Sequence, residues 1–136
     1  MPIILDTRPE YNLFIFTHKG EIPDNEFLEI YSRFFKGDTF DPASELLIDL
    51  READSRPRNP GTLHRLAVFV RENLKDSPAR PKIAVLAPKS LSFGLARMYQ
   101  SYSDSIPWEY VVFRTIDAAL AWLNVPEDLL NIGENT

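Results

Sequence analysis

The 136-residue chain predicts one α/β domain over residues 1–136: a mixed sheet of about five strands, opened by an antiparallel hairpin, with about four helices in the order β-β-α-β-α-β-α-β-α. Three observations carry the α/β reading. Two extended runs stand together at the start, separated only by Arg8-Pro9-Glu10-Tyr11. Helix-periodic stretches then alternate with short apolar runs, the pattern of parallel strands joined by right-handed crossovers. Hydrophobic residues make up 44% of the chain and aromatics 12%, a globular composition. At this length a single core buries roughly two-thirds of the unfolded surface, so no covalent staple is required.

The elements follow in order. Residues 2–7 and 12–18 read as a β-hairpin, and in its second strand Leu13, Ile15 and Thr17 alternate with Phe14, Phe16 and His18. Residues 24–36 read as a helix, because Phe27, Ile30, Tyr31, Phe34 and Phe35 form one stripe, with Asp24 as N-cap and Gly37 as terminator. ELLIDL, 45–50, is almost wholly apolar, as a strand buried on both faces is. Asn59-Pro60 starts a helix as cap and N1 proline, and Leu63, Leu66, Ala67, Val70 and Leu74 give its buried stripe. KIAVLA is the next strand. The segment after it places Leu91, Gly94, Leu95, Met98, Tyr99 and Tyr102 on one helical face, so Gly94 is expected against the sheet, allowing close approach. EYVVFR, 109–114, is the last strand, and IDAALAWL the last helix, capped by Thr115. Leu129 and Leu130 suggest a short docked turn.

Composition removes several function classes. There is no cysteine, hence no disulfide, thiol catalysis or thiolate metal site. The net charge of −5 argues against nucleic acid, which demands a basic face. No apolar run approaches the ~18 residues of a spanning helix, so no transmembrane segment is expected. The start, MPIILDTRPEY, lacks the basic and long apolar regions of a signal peptide, and the expected compartment is the cytoplasm. No Gly-x-Gly-x-x-Gly or Gly-Lys-Ser/Thr occurs, and His18 and His64, the only histidines, lack triad or metal spacing; each is expected in a solvated or capping role. Asp38 and Asp41, in GDTFDP, lack the remaining ligand ladder of a calcium loop and read as a turn. No cofactor, metal site or catalytic residue is expected.

ELLIDLRE, IAVLAPKSLSFGLARMYQSY and VVFRTIDAALAWL together resemble the SpoIIAA-like branch of the STAS superfamily, over nearly the whole chain. The resemblance implies a mixed sheet carrying helices and a non-enzymatic role. Anti-sigma-factor antagonists of the wider superfamily bind a kinase partner and are switched by serine phosphorylation. Other members look like the lipid-carrying CRAL-TRIO fold. The antagonists' serine lies in Asp-Ser-Ser/Thr-Gly at the opening of a helix; this chain has Asp54-Ser55-Arg56-Pro57, and its helix starts only at Pro60. Ser55 is the position that matches the modified serine.

Besides Ser55, three groupings are candidates for function. Parallel sheets bind ligands beyond their strands' carboxyl ends. There Asp49, Arg51, Ser90 and Arg114 could clamp an anion, the plain alternatives being an Asp49 ion pair and a Ser90 N-cap. Phe93 lies about 200° around its helix from Leu95. With Arg97, and with Phe69 and Trp122 at the edges of their own stripes, it marks a surface for a protein partner or a second copy of the chain, or simply flank packing. Phe27, Tyr31, Phe34 and Phe35 form a core cluster or line an apolar pocket. The leading expectation is a binding or regulatory module that engages a partner. The other is a carrier or sensor of an apolar, lipid-like ligand with peripheral membrane association.

Overall fold

The computed structural model describes residues 3–130. Its first two strands, β1 (Ile3–Arg8) and β2 (Leu13–Glu21), pair antiparallel from Ile3 opposite His18 to Arg8 opposite Leu13. They are joined by a single 3-10 turn at Pro9–Tyr11, which the expected order lacked, and by Asn12 at φ 54°. Asparagine tolerates this left-handed backbone better than most residues. Its carbonyl accepts from Glu45 N at 2.9 Å and its Nδ2 donates to the Ala43 carbonyl at 3.0 Å, fixing the hairpin to the strand beside it.

The rest alternates as the periodicity requires: α1 (Asp24–Lys36), β3 (Glu45–Asp54), α2 (Pro60–Leu74), β4 (Lys82–Leu86), α3 (Ser90–Tyr102), β5 (Glu109–Phe113) and α4 (Ile116–Leu123). The sheet order is β1-β2-β3-β4-β5, and every pair after the hairpin is parallel. With neighbours connected in sequence order, right-handed crossovers put α1, α2 and α3 on the same face. α4 has no following strand and closes the other face. The alternation along each strand supplies both cores. Phe16, Leu46 and Ile83 join the three-helix side, while Leu13, Ile15, Leu47, Ala84 and Leu86 join α4 through Ala119, Leu120 and Leu123. Leu129 docks into this second core and is buried. Among the described residues no helix is long and apolar enough to cross a membrane.

Two helix starts are as anticipated. Asn59 Oδ1 accepts from Gly61 N at 2.7 Å and Thr115 Oγ1 from Ala118 N at 3.4 Å. Two are not. The N-cap of α1 is Pro23 and that of α3 is Lys89, neither with a side-chain cap bond. Asp24 and Ser90 are therefore the first helical residues rather than caps. Asp24 is turned to the loop before α2, where Arg58 Nη1 donates to its Oδ1 at 2.7 Å.

The face of α3 is also rotated from its expected position. Ser92, Ala96 and Tyr99 are buried and Leu95 is half-buried, whereas Gly94 is exposed with nothing within 4 Å of where a Cβ would stand. Leu91 is 50% exposed. The cause lies in β5: the Tyr110 hydroxyl donates to the Ala96 carbonyl at 3.1 Å and Gln100 Nε2 to the Tyr110 carbonyl at 2.8 Å. These bonds select the Ser92–Ala96–Tyr99 line as the inner face. The small side chains of Ser92 and Ala96, not the glycine, permit the close approach.

Candidate functional site: an apolar cavity under three helices

Between the sheet and α1, α2 and α3 the packing leaves a cavity of about 90 Å³. Interiors at native density contain few voids larger than a water molecule, so this one has a specific origin. Small residues, Gly20, Ala53, Ser92 and Ala96, line it together with the large rings of Phe27, Tyr31 and Phe35. Those rings lean on one another and on the strands instead of filling the space: Phe27 and Tyr31 have centroids 5.1 Å apart, and Tyr31 lies 5.0 Å from Phe16. Leu63 and Leu66 contribute from α2, and Tyr99, Trp108 and Tyr110 from the α3–β5 side. Phe34, expected in the same lining, is outside it; it packs edge-on against Phe14 and Phe16 at 5.1 and 4.8 Å.

The cavity runs from one end of the strands to the other. Trp108 precedes β5, at the amino ends, while Ser55 follows β3, at the carboxyl ends. The lining residues Gly20, Asp54, Ser55 and Leu95, exposed or half-exposed, mark the open end at the carboxyl edge. Three contacts hold that edge together. Ser55 Oγ and Ser92 Oγ are 2.7 Å apart, Lys89 Nζ donates to the Ala53 carbonyl at 3.2 Å, and Arg58 reaches Asp24. The Arg58 guanidinium also stacks 3.9 Å over the Phe27 ring, and its side chain is only 8% exposed. Burial raises the Asp24 pKa, but hydrogen bonds from Arg58, Thr62 and the Asn59 backbone outweigh it and leave the carboxyl lowered and ionised.

The interior disfavours charge. His18, expected in a solvated or capping role, is 4% exposed, and its Nε2 is hydrogen-bonded to the Tyr31 hydroxyl at 2.6 Å. Burial, then the Arg58 guanidinium, lower its pKa to about 3 against a weak opposing pull from Asp49, so the ring is neutral at physiological pH. Burial raises the phenols of Tyr31, Tyr99 and Tyr110 far above their usual range, so they stay protonated. The clue to His18 was in the sequence. It continues the Phe14–Phe16 face by the period of two, and that face is the aromatic one.

The anion clamp does not assemble around this cavity. Asp49 is buried and accepts from Arg51 Nε at 3.0 Å and Nη2 at 2.9 Å, a bidentate pair within β3. Asp49 and Arg51 alternate with the cavity-lining Ile48 and Leu50, and so face α4. Arg114 is two strands away, about 10 Å at ordinary strand spacing, with its guanidinium 4.0 Å over the Phe93 ring. Ser90 is exposed. The monotonic strand order contains no reversal, hence no switch-point crevice where such residues would converge.

The off-stripe aromatics are half-buried and separate. Phe69 on α2 carries Lys36 Nζ 5.4 Å above its ring, and Trp122, on the opposite side of the sheet, carries Lys82 Nζ at 5.3 Å. With Arg114 on Phe93, each ring has a cation across it, and the three do not form one patch. Arg97 is exposed on α3. Ser55, four residues ahead of the Asn59 cap, has its hydroxyl bonded to Ser92. His64 is exposed, with Tyr102 edge-on at 5.2 Å, and Asp41 Oδ1 accepts from Ala43 N at 2.9 Å in a local turn. Among the described residues no group of three or more His, Cys, Asp or Glu could hold a metal ion. Compared with protein-family models, with curated proteins and with solved structures, the chain matches none.

Proposed function

We propose that this chain is a non-catalytic binding module that takes a small neutral apolar group into the cavity beneath α1, α2 and α3. The observation that carries this reading is the cavity itself, lined on one part by short side chains and on the other by aromatic rings that do not close on them. Volume bounds the ligand. An apolar cavity of about 150 Å³ stays dry and takes up benzene, whereas drug-sized ligands occupy sites of roughly 300–1,000 Å³. At about 90 Å³ the site suits a small ring or branched aliphatic group, free or as the end of a larger molecule entering at Ser55 and Leu95. A whole lipid would require the carboxyl edge to open. Neutral His18 and three protonated tyrosines favour an uncharged guest.

Native mass spectrometry of the protein purified from its own host tests this directly. The expected result is a co-purifying small molecule that is absent from Ala96→Leu, whose added side chain fills the void. A bare chain that also fails to bind small apolar probes in solution refutes the reading.

A second reading, partner binding through α3, rests on Leu91, which is 50% exposed beside exposed Gly94 and Arg97. Sedimentation equilibrium of the native chain and Leu91→Ser tests self-association there: an unchanged monomer mass for both removes the second-copy form of this reading.

A further inference from the structure

Three tyrosines line the cavity, and the hydroxyls of two are held by the protein. Tyr31 is bonded to His18 Nε2 at 2.6 Å, and Tyr110 donates to the Ala96 carbonyl at 3.1 Å. The third, Tyr99, is 8% exposed, and no described residue hydrogen-bonds its hydroxyl. Buried polar groups in native proteins are nearly always satisfied, so the exception points to something. Among the described residues the Trp108 indole nitrogen is the one unpaired side-chain polar atom that protein encloses completely. The Tyr99 oxygen, unpaired as well, is therefore not enclosed and borders open space. That space is not bulk solvent. Burial, followed by the Tyr110 and then the Tyr31 phenol, holds the Tyr99 pKa well above its usual range. An oxygen at the outer surface would keep its hydration and would not be shifted in this way. Tyr31 stands on α1, Tyr110 on β5 and Tyr99 on α3, three walls of the cavity. A helical side chain also leans toward the start of its helix, here toward Ala96 and Ser92, which line the same space.

We infer that the Tyr99 hydroxyl is the hydrogen-bonding point of the cavity, and that the ligand is a small neutral molecule whose apolar body carries one acceptor oxygen, as a ketone, aldehyde, ester or ether does. This rests on the binding function proposed above and narrows its ligand class. Proton counting decides the class. A phenol has one proton to give. Against a carbonyl or ether oxygen that proton is placed, and the guest has none of its own to satisfy. An alcohol brings a second proton, and only one of the two can lie in the bond between them; the other would face rings and aliphatic groups. A carboxylate or phosphate would exchange its hydration for a single neutral bond, which is unfavourable. The Ser55 and Ser92 hydroxyls are taken up with each other at the mouth. The apolar body lies against the rest of the wall, Leu63 and Leu66 of α2 included.

The test uses a matched pair of probes, cyclopentanone and methylenecyclopentane, which differ by an oxygen in place of a CH₂. Both are titrated into the wild type and into Tyr99→Phe, a variant that removes the hydroxyl and keeps the ring. The wild type is expected to bind the ketone about two- to tenfold tighter than the hydrocarbon, the range of one net neutral hydrogen bond. Tyr99→Phe should abolish that preference while the hydrocarbon still binds. Cyclopentanone carrying ¹³C at its carbonyl reads the contact itself: its resonance should move downfield on binding to the wild type, and less on binding to the variant. Should the variant not fold, the wild-type affinity ratio and carbonyl shift decide alone. Equal affinities for the two probes, or a preference that survives in Tyr99→Phe, overturn this inference and leave the apolar site standing. Failure of both probes to bind overturns the inference together with the binding function on which it rests.

Discussion

The two faces of the sheet are built from the same strands and are packed to different standards. On the α4 face the fully buried side chains are aliphatic: Leu13, Ile15, Leu47, Ala84 and Leu86 meet Ala119, Leu120, Leu123 and Leu129, and the rings of Phe113 and Trp122 only flank them. Leu47, Ala84 and Ala119 have no exposed surface at all. On the three-helix face the core is aromatic and includes Phe16, Phe27, Tyr31, Phe34, Phe35, Tyr99 and Trp108. Branched aliphatic groups interdigitate and fill space in small increments. Rings are rigid plates with preferred edge-on geometries, and where they face Ser92, Ala96 and Ala53 they cannot bend to fill what remains. The aromatic core thus keeps an interior, whereas on the α4 side the cleft beside Leu129 is lined otherwise by Arg8, Glu10, Tyr11, Pro126 and Asp128, at the rim of the core.

The largest effect should come from breaking the closed face. Leu120→Ala is expected to destabilise by about 3–5 kcal/mol, since a side chain 1% exposed in a filled core leaves a full cavity behind. Leu66→Ala, on the cavity wall, should cost less, about 2–3 kcal/mol, because one side of Leu66 already lacks packed neighbours and forfeits fewer contacts. Urea unfolding of both variants measures the gap, and equal costs would show that the two faces are packed alike. Leu66→Ala should also admit a larger guest.

Acid sharpens the comparison further, because the aromatic face holds the buried histidine. Folding lowers the His18 pKa from 6.5 to about 3. Between those values the unfolded chain binds a proton that the folded chain refuses. The His18 contribution to stability is therefore complete above pH 6.5 and erodes as pH falls toward about 3, by roughly 1 kcal/mol per pH unit within that window. Asp24 is lowered and Asp54 is lowered to about 2, foremost by hydrogen bonds from Arg56, so these carboxylates act only in stronger acid. Denaturant titrations between pH 7 and 5 on the wild type and His18→Gln isolate the effect: the slope should be present in the first and absent from the second.

The smallest expected change is a gain. Gly94→Ala should stabilise by about 0.5–1 kcal/mol, the helix preference of alanine over glycine, because open space surrounds the position. A loss, measured by thermal unfolding, would mean that α3 lies closer to its surroundings than described.

Much of the fold was legible in the chain because its cues are local. Residues 24–36 carry a five-residue aromatic and aliphatic stripe, Asn59-Pro60 announces α2, and Thr115 announces α4; each became the element expected. The misreadings share another origin. α3 is apolar on more than one side, so periodicity alone selected Leu91 and Gly94, whereas two hydrogen bonds from β5 selected Ser92 and Ala96. Asp24 has the residue type and position of a cap, but its partner, Arg58, lies 34 positions away. Asp49, Arg51, Ser90 and Arg114 share the carboxyl edge of the strands, but a shared edge does not give lateral distance, and β4 stands between β3 and β5.

The sequence by itself determined the alternation of strands and helices, the parallel pairing that follows from it, the exclusion of thiol chemistry and the presence of an aromatic cluster around α1. These follow from spacing and composition, which act over a few residues. Only the tertiary structure decided that the cluster stops short of filling its side of the sheet, that His18 is buried and neutral, and that the buried Trp108 N–H is left without a hydrogen-bond partner. A void is the difference between the volume enclosed by several elements and the volume of the side chains they supply. No segment of the chain carries that difference; it exists only once Gly20, Phe27, Ala53, Leu66, Ala96 and Trp108 have been brought around the same space.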